Sequence, residues 1–488
     1  MAKILYHAVT VDWRKEQKYQ SLEKTASIAG VKWQKLSPDA RGNWITNDTD
    51  EEFEAFLPIG SKEAKAGTSV PTIFRTYSLG VSTNRDAVVY GFDQKRLAER
   101  VEQFADDYNA ELHRWQKKGR PSDVDNFVSY EKVKWSETLK RHFTDEREAE
   151  YCESKICKSL YRPFTGMELY YDTMFVDRPG KFDEFLPNKK TTKENKLICL
   201  NMTVERPFTT LMTNAAPNLV AAGGFGCATF AFPAFTYSED GKERRDNITP
   251  KALTLFQIFY DDDGITREDI FNYVYALLHH PTYRTRYAEN LKRDLPRIPF
   301  VGVGDEVTSL KSKGKKSETP HVVSYRKFYP LAAVETMQGK AKPDHNPKAS
   351  AKLFHAFAAA GKKLADLHVN YESAKEFKLK RTENKDVKLD WRVEAMKLSK
   401  DKSSLFYNDF LTLNGIPSEV FDYKLGNRSA LEWVIDQYRV TKDDDGKITS
   451  DPNRIDDEEY IVRLIGQVIT VSLETQKIIG DLPELKIE

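Results

Sequence analysis

A run of basic and amide side chains in the segment 283–297 could bind nucleic acid. Helical spacing places Arg286, Asn290 and Arg293 on one stripe, with apolar residues on a neighbouring face. A guanidinium matches phosphate or guanine, and an asparagine amide can pair bidentately with adenine. The alternative is a solvated helix face stabilised by pairs within the helix, such as Glu289 with Arg293.

Two further segments combine cations with aromatic or turn-forming residues. Tyr161-Arg162-Pro163-Phe164 could stack on bases or hold a backbone, or its arginine could instead lie over core aromatics. Thr83-Asn84-Arg85-Asp86 is either a turn stabilised by Asn and Asp or an exposed loop that reaches a groove. Lysine clusters at 189–193 and 311–316 could contact phosphate without sequence preference, or could serve solubility alone. The full set of candidate DNA-binding residues is Asn84, Arg85, Tyr161, Arg162, Arg284, Arg286, Asn290, Arg293, Arg297, Lys313, Lys315 and Lys316.

The common catalytic constellations are missing from the sequence. Gly223-Gly-Phe-Gly226 lacks the Lys-Ser/Thr of a P-loop and the spacing of a dinucleotide fingerprint, which favours a bulge or close backbone approach. The Asn/Asp-Pro-Pro-aromatic tetrad of an adenine-N6 methyltransferase is absent. His279-His280 ends a predicted helix, where cationic imidazole suits the dipole, and Asp261–Gly264 has the wrong ligand spacing for calcium. We therefore expect no catalytic residue, no metal site and no bound cofactor in this chain.

Charge and composition narrow the function classes further. Lys and Arg number 75 and Asp and Glu 74, so any nucleic-acid binding must come from a local basic patch. The 4 cysteines are too few and too unevenly spaced for a disulfide framework, so reduced thiols are expected. No apolar run reaches the ~20 residues of a membrane span, and the first residues lack the apolar core of a secretory signal. A cytoplasmic location is expected.

The elements that must position these residues begin with a strand at 3–9. β-rich runs at 72–81 and 87–92 flank the turn 82–86 and predict a hairpin or strand-turn-strand unit. A helix follows, with Asp93 as its N-cap and apolar residues every three or four positions, and it stops before Pro121. We place a domain boundary there.

The remainder of the chain changes from strands to helices. Extended segments are predicted at 168–175, 196–204, 218–237 and 321–329, with a helical hairpin between the last two, whose helices begin at Thr266 and near Tyr283. Helices are predicted at 350–369, after the capping box Ser429–Glu432, and at 457–479. The expected fold class is α+β, mixed α/β and multi-domain: residues 1–121, a strand-rich central domain 122–340 with the helical hairpin, and a helix-rich part 341–488.

Four strings in the sequence resemble one known family: Ser82–Tyr90, Tyr161–Phe164 with Tyr170–Asp172, Tyr273–Pro299 and Leu431–Tyr438. Together they resemble the C-terminal region of type ISP restriction-modification enzymes, single chains that join nuclease, translocase, adenine methyltransferase and target-recognition domains. The resemblance implies that residues 1–121 are similar to the end of the methyltransferase domain and the rest to the target-recognition, or specificity, domain. S-adenosylmethionine, ATP and Mg²⁺ are implied only for the full-length enzyme.

Three hypotheses of function follow. The preferred one is sequence-specific recognition of double-stranded DNA in a restriction-modification or phage-defence system. This module would position an adenine-N6 methyltransferase and a translocase/nuclease supplied by other regions or chains, and would not be catalytic alone. The alternatives are a subunit of an active site-specific adenine methyltransferase, and a protein-interaction component of the defence system that does not bind DNA.

Overall fold

The computed structural model describes residues 3–9, 13, 15–38, 44, 50–224, 226–304, 326–338 and 345–485. Candidates Lys313, Lys315 and Lys316 lie outside these described residues, as do the first five residues of the strand expected at 321–329. The chain divides into two compact units, Met1–Glu54 and Ala55–Glu488.

The described residues form the following helices: α1 Lys15–Thr25, α2 Asp50–Glu54, α3 Lys62–Lys65, α4 Asp86–Val89, α5 Gln94–Lys117, α6 Val124–Phe127, α7 Glu137–Thr144, α8 Phe182–Phe185, α9 Lys189–Glu194, α10 Pro250–Tyr260, α11 Arg267–His279, α12 Pro281–Arg286, α13 Ala288–Arg293, α14 Leu331–Gln338, α15 Pro347–Val369, α16 Ala430–Gln437 and α17 Tyr460–Gly480. None of the helices in the described ranges is both long and apolar enough to cross a membrane.

The strands of the described residues are β1 Ile4–Tyr6, β2 Gln34–Leu36, β3 Leu57–Pro58, β4 Ser78–Leu79, β5 Tyr90–Gly91, β6 Ile156–Arg162, β7 Thr165–Tyr170, β8 Leu197–Asn201, β9 Thr210–Thr213, β10 Ala216–Pro217, β11 Thr229–Pro233, β12 Phe235–Tyr237, β13 Arg244–Asp246, β14 Arg297–Ile298, β15 Phe300–Val303, β16 Arg326–Tyr329, β17 Lys380–Glu383, β18 Lys397–Leu398, β19 Ser404–Phe406, β20 Leu411–Asn414, β21 Lys424–Leu425, β22 Arg428–Ser429, β23 Thr441–Lys442 and β24 Ile448–Ser450. This mixture of helices with several separate sheets is the expected α+β class.

The first unit contains the strand expected at the start of the chain. β1 pairs antiparallel with β2, and α1 has no buried residue. Several large apolar side chains of this unit are exposed, among them Tyr19, Leu22 and Ile28.

Two four-stranded sheets organise the first part of the second unit, with strand orders β10-β6-β7-β5 and β4-β11-β8-β9. Of the two arrangements expected for 72–92, a hairpin or a strand-turn-strand unit, the hairpin is wrong. β4 pairs with β11 and β5 pairs with β7, because the turn at 82–86 leads into the short helix α4 and sends the chain to a different sheet.

Helix α5 confirms the periodicity read from the sequence. The Asp93 side chain accepts a hydrogen bond from the Arg96 N–H at 2.7 Å, so it caps the helix as expected. Its apolar face is buried, and Tyr108 packs against Trp135 with ring centroids 5.7 Å apart. One hydrophobic core cluster takes in residues from Val81 to Ala231. The domain boundary expected at 121 stays a prediction. The assignment of residues 1–121 to a methyltransferase domain stays a prediction.

The last part of the chain contains more strand than expected. Residues 380–414 form a four-stranded sheet of order β17-β20-β19-β18, beside the predicted long helices α15 and α17. The core cluster of this part also takes in Leu160, Phe164 and Leu211. The division expected at 340 stays a prediction. The capping boxes at Thr266 and Ser429 are both present and begin α11 and α16.

Candidate nucleic-acid interface

The hairpin that joins β6 to β7 fixes the position of Arg162. Phe164, in its turn, has a left-handed backbone with φ of 54° and a fully buried side chain. The Arg162 guanidinium lies 4.0 Å from the centre of the Tyr161 ring. Its Nη1 donates to the Tyr161 carbonyl at 2.6 Å and to the Asn218 Oδ1 at 3.0 Å. Arg162 is therefore partly buried and held by neutral oxygens.

Arg206, which the sequence did not single out, is held in a similar way. It lies in the loop between β8 and β9, and its Nη1 donates to the Gly223 carbonyl at 3.0 Å. Its side chain is partly buried. The only signal in the sequence was an arginine beside a proline, between two apolar strand runs.

Arg284, in α12, is the third arginine of this kind. Its Nη2 donates to the Phe208 carbonyl, and the guanidinium lies 5.8 Å from the centre of the Phe208 ring. Burial lowers the pKa of Arg284, yet a guanidinium stays protonated in proteins. Burial also raises the pKa of Tyr423, and the nearby Arg284 charge opposes that rise.

These three arginines, which we call the arginine row, share one electrostatic property. Each is partly buried and bound to carbonyl or amide oxygens, and none forms an ion pair with a carboxylate within the described part of the chain. A charged group removed from water is normally paired, because desolvation costs several kcal/mol. A phosphate would supply the missing negative charge, with a geometry that suits the planar guanidinium.

The residues that accept hydrogen bonds from the arginine row are close to one another, or to the row itself, in the sequence. One acceptor of Arg162 is Asn218 and the acceptor of Arg206 is Gly223, and five residues of chain span at most about 18 Å. Phe208, which binds Arg284, is two residues after Arg206. The three arginines are therefore tied to neighbouring positions in one part of the fold.

The turn at 83–86 contacts the β6–β7 hairpin that carries Arg162. One of its candidate residues is not exposed as expected. The Tyr161 hydroxyl donates to Asp86 Oδ2 at 3.1 Å, so the structure brings together the two segments singled out from the sequence. Asn84 is exposed, with φ of 55°, and its amide donates to Asp177. Arg85, however, is only 1% exposed, so it is not available to a ligand.

Arg85 is buried because acceptors from distant parts of the chain surround it. Its guanidinium donates to the Phe175 carbonyl and the Ser136 hydroxyl, both at 2.6 Å. It also pairs with Asp177 at 3.2 Å. The turn interpretation of 83–86 is therefore favoured over a loop that presents this arginine to a groove.

The expected stripe on one helix after Tyr283 is wrong. The segment forms two short helices, α12 and α13, with a break at Tyr287, whose ring is buried 5.6 Å from Phe56. Asn290 is 3% exposed and belongs to the core, so it cannot read a base edge.

The other cations of this segment are dispersed. Arg286 is partly buried, 5.9 Å from the centre of the Tyr287 ring, and Arg293 is exposed with its Nε bonded to the Glu289 carbonyl at 3.3 Å. Arg297 donates to the Phe56 carbonyl at 3.4 Å. Arg284 is thus the residue of this segment that joins the row. The lysines at 189–193 lie in and around α9, where Lys190 pairs with Glu194 at 3.9 Å.

The glycine-rich segment at 223–226 does not fit a nucleotide cradle. Strand β11 follows it, and the Gly223 carbonyl faces Arg206, so no helix N-terminus points at a ligand. A Cβ on Gly224 would lie 2.7 Å from the Trp433 ring. This is the close backbone approach expected from the sequence.

The helix-end histidines also differ from expectation. His279 is buried, and burial lowers its pKa to about 3, so it is neutral and not the cationic cap expected. His280 caps the next helix by accepting from the Thr282 N–H at 3.2 Å. His355 lies 2.8 Å from Asp262, and no group of three or more metal-ligating side chains occurs in the ranges that the structure covers.

A family model described as the Type ISP C-terminal specificity domain matches residues 72–348 and 347–464. The chain is similar, at 28% identity and TM-score 0.75, to a nuclease-deletion mutant of the Type ISP restriction-modification enzyme LlaGI solved in complex with a DNA substrate mimic. This match covers 100% of the present chain and 39% of the LlaGI chain.

Two further solved structures give similar values. The DrdV–DNA complex is 29% identical with a TM-score of 0.74, over 99% of this chain and 44% of that one. The ATP-dependent Type ISP restriction-modification enzyme LlaBIII, bound to DNA, is 26% identical with a TM-score of 0.73, over 97% of this chain and 27% of that one. The chain thus spans less than half the length of each. A search of curated protein sequences gave no match. The family match covers more than half of the sequence, and the chain belongs to the Type ISP C-terminal specificity domain family.

Proposed function

We propose that this chain is a sequence-specific double-stranded DNA recognition module of a Type ISP restriction-modification system. Arg162, Arg206 and Arg284 hold the phosphate backbone, and neighbouring groups read the bases. The module works in the cytoplasm, where it positions an adenine-N6 methyltransferase and a translocase/nuclease supplied by other regions or chains. Those regions, not this chain, bind S-adenosylmethionine, ATP and Mg²⁺.

The observation that carries the proposal is the uncompensated charge of the arginine row. The molecule as a whole has a net charge of only +1, so no general field would draw it to DNA. Three partly buried guanidinium groups that have neutral acceptors in place of carboxylates concentrate positive charge where the fold fixes it. Three fixed cations tied to neighbouring segments favour a polyanion over a single small anion.

The comparisons support the same function. All three similar structures were solved with DNA, and each shares the fold over 97% or more of this chain at 26–29% identity. The family described as a specificity domain includes the segments that carry all three arginines.

A binding selection tests the proposal directly. The chain is mixed with a pool of random duplexes, the bound fraction is recovered over several rounds, and its affinity for the enriched sequence is measured at several salt concentrations. We expect enrichment of one sequence, with binding that weakens steeply as salt rises, because counterions are released from each neutralised phosphate.

Absence of salt-sensitive binding up to high micromolar protein would refute the proposal. Binding without enrichment of any sequence would refute the recognition role and leave only general affinity for DNA. Methyl transfer to DNA by this chain alone would contradict the assignment of catalysis to other regions.

A further inference from the structure

The loop between β8 and β9 lies at one end of the edge pair of the four-stranded sheet β4-β11-β8-β9, and its base is rigid. Leu197–Leu200 of β8 pairs with β9, with Leu200 opposite Thr210. Asn201 is 1% exposed and closes the base: its amide donates to the Pro207 carbonyl at 3.2 Å and its Oδ1 accepts from the Thr209 N–H at 2.7 Å. The residues between, 202–207, project from this base.

The tip of this loop, residues 203–205, carries side chains whose chemistry does not suit phosphate. Val204 is 66% exposed, and Glu205 is exposed with no side-chain hydrogen bond or ion pair to the described residues. The Thr203 hydroxyl accepts from the Glu205 N–H at 3.2 Å and shapes the turn. A carboxylate would be repelled by phosphate, whereas it can accept a hydrogen bond from the amino group of cytosine, and an apolar side chain can contact the methyl group of thymine.

Two members of the arginine row are held next to this tip, both on its C-terminal side. Arg206 is two residues after Val204, and Phe208, whose carbonyl holds Arg284, is four residues after it. Four residues span at most about 14 Å, so the tip lies near groups suited to phosphate.

Gly224 and Gly226 belong to a second segment that contacts the loop. Gly226 lies beside the Glu205 carboxylate, since a Cβ on this glycine would be 3.8 Å from Glu205 Oε2. Gly224, with φ of 78°, lies so close to the buried Trp433 that a side chain could not be added without displacing it. Trp433 is itself fixed by a 2.8 Å hydrogen bond from its Nε1 to the Leu425 carbonyl.

We propose that the tip of the β8–β9 loop reads base edges in the major groove, with Val204 and Glu205 as specificity-determining residues. This inference rests on the proposed function, since it requires the arginine row to hold the DNA backbone. Glu205 contacts a cytosine amino group, and Val204 contacts a thymine methyl group at a nearby position.

The test compares sequences selected by the wild-type chain with those selected by Val204→Ala and Glu205→Gln. Both side chains are exposed, so the variants are expected to fold, and thermal unfolding checks this. Each should lose discrimination at one or two base positions by at least about fivefold, as for a mismatched base pair. The slope of log affinity against log salt should stay that of the wild type, because no phosphate contact is removed.

Matched controls are Val387→Ala and Glu239→Gln, since both residues are exposed and lie in other loops. These controls should select the wild-type sequence. The inference is overturned if the wild type selects one sequence and both loop variants select it with equal discrimination. It is also overturned if either variant changes the salt slope by a full phosphate contact. If the wild type itself neither binds nor selects DNA, the proposed function fails, and the inference with it.

Discussion

Substitution of Arg162 by glutamine isolates one phosphate contact of the arginine row. The change removes the positive charge and keeps a side chain that can still reach the Asn218 amide. Arg162 has no carboxylate partner among the residues that the structure describes, so its loss leaves no buried negative charge uncompensated. Because the lost hydrogen bonds join a charged donor to neutral oxygens, the free energy of unfolding should fall by about 1.5–3 kcal/mol.

The effect on DNA binding follows from counterion release. Each neutralised phosphate of B-DNA contributes about 0.9 to the slope of log affinity against log salt. The Arg162→Gln variant should therefore lose about 0.9 of slope and bind roughly eightfold more weakly at 0.1 M salt. Removal of all three arginines should lower the slope by about 2.7.

Fluorescence anisotropy titrations of a labelled duplex at four salt concentrations measure both quantities. Arg141→Gln is the matched control, since Arg141 is exposed on α7 and forms no ion pair within the described ranges. An Arg162→Gln slope equal to that of the wild type would refute the reasoning, even if the affinity fell. Such a result would mean that Arg162 supports the fold and does not contact phosphate.

The remaining predictions concern stability. Arg85→Ala should lower the free energy of unfolding by about 3–5 kcal/mol, because it leaves Asp177 without its buried partner; urea denaturation measures this, and a loss below 1 kcal/mol would contradict it. Gly224→Ala should lower the free energy of unfolding by about 1–3 kcal/mol, because φ is 78° and the new Cβ would lie 2.7 Å from the Trp433 ring. Thermal unfolding measures this loss. Gly446→Ala is the control for backbone strain alone, since Gly446 has φ of 81° and no neighbour within 4 Å of an added Cβ. The pKa of His279 is lowered to about 3, so neutral His279 stabilises the fold above its unfolded pKa of about 6.5, and this stability is lost as pH falls towards 3. From pH 7 to pH 5 the free energy of unfolding should fall by about 2 kcal/mol more in the wild type than in His279→Gln. Denaturant unfolding at both pH values measures this, and an equal fall in the two proteins would contradict the burial argument.

Local features of the fold could be predicted from the sequence. The caps at Asp93, Thr266 and Ser429 depend on residues three positions apart, and the helices that they begin are those expected. Strand partners could not be predicted, because β4 and β5 find β11 and β7 across long stretches of chain, and nothing in the residues 72–92 specifies those partners.

The candidate site shows the same difference between local features, which the sequence predicts, and long-range contacts, which it does not. Arg85 and Arg162 both lie in segments singled out from the sequence, yet one is buried with a carboxylate and the other is partly buried without one. Their difference depends on Ser136, Phe175 and Asp177 in one case and on Asn218 in the other, all distant in sequence.

The remaining arginines needed the tertiary structure. Arg206 has no pattern of its own in the sequence, and its position became informative only when folding placed the Gly223 carbonyl against it. The stripe after Tyr283 failed for a related reason: the buried ring of Tyr287 ends one short helix and turns Asn290 into the core.

The most direct measurement is a structure of the chain bound to a duplex that contains its selected sequence. We predict phosphate oxygens at about 2.7–2.9 Å from the guanidinium nitrogens of Arg162, Arg206 and Arg284, which keep their present carbonyl and amide acceptors. DNA bound to another face, with the arginine row left in solvent, would contradict the account.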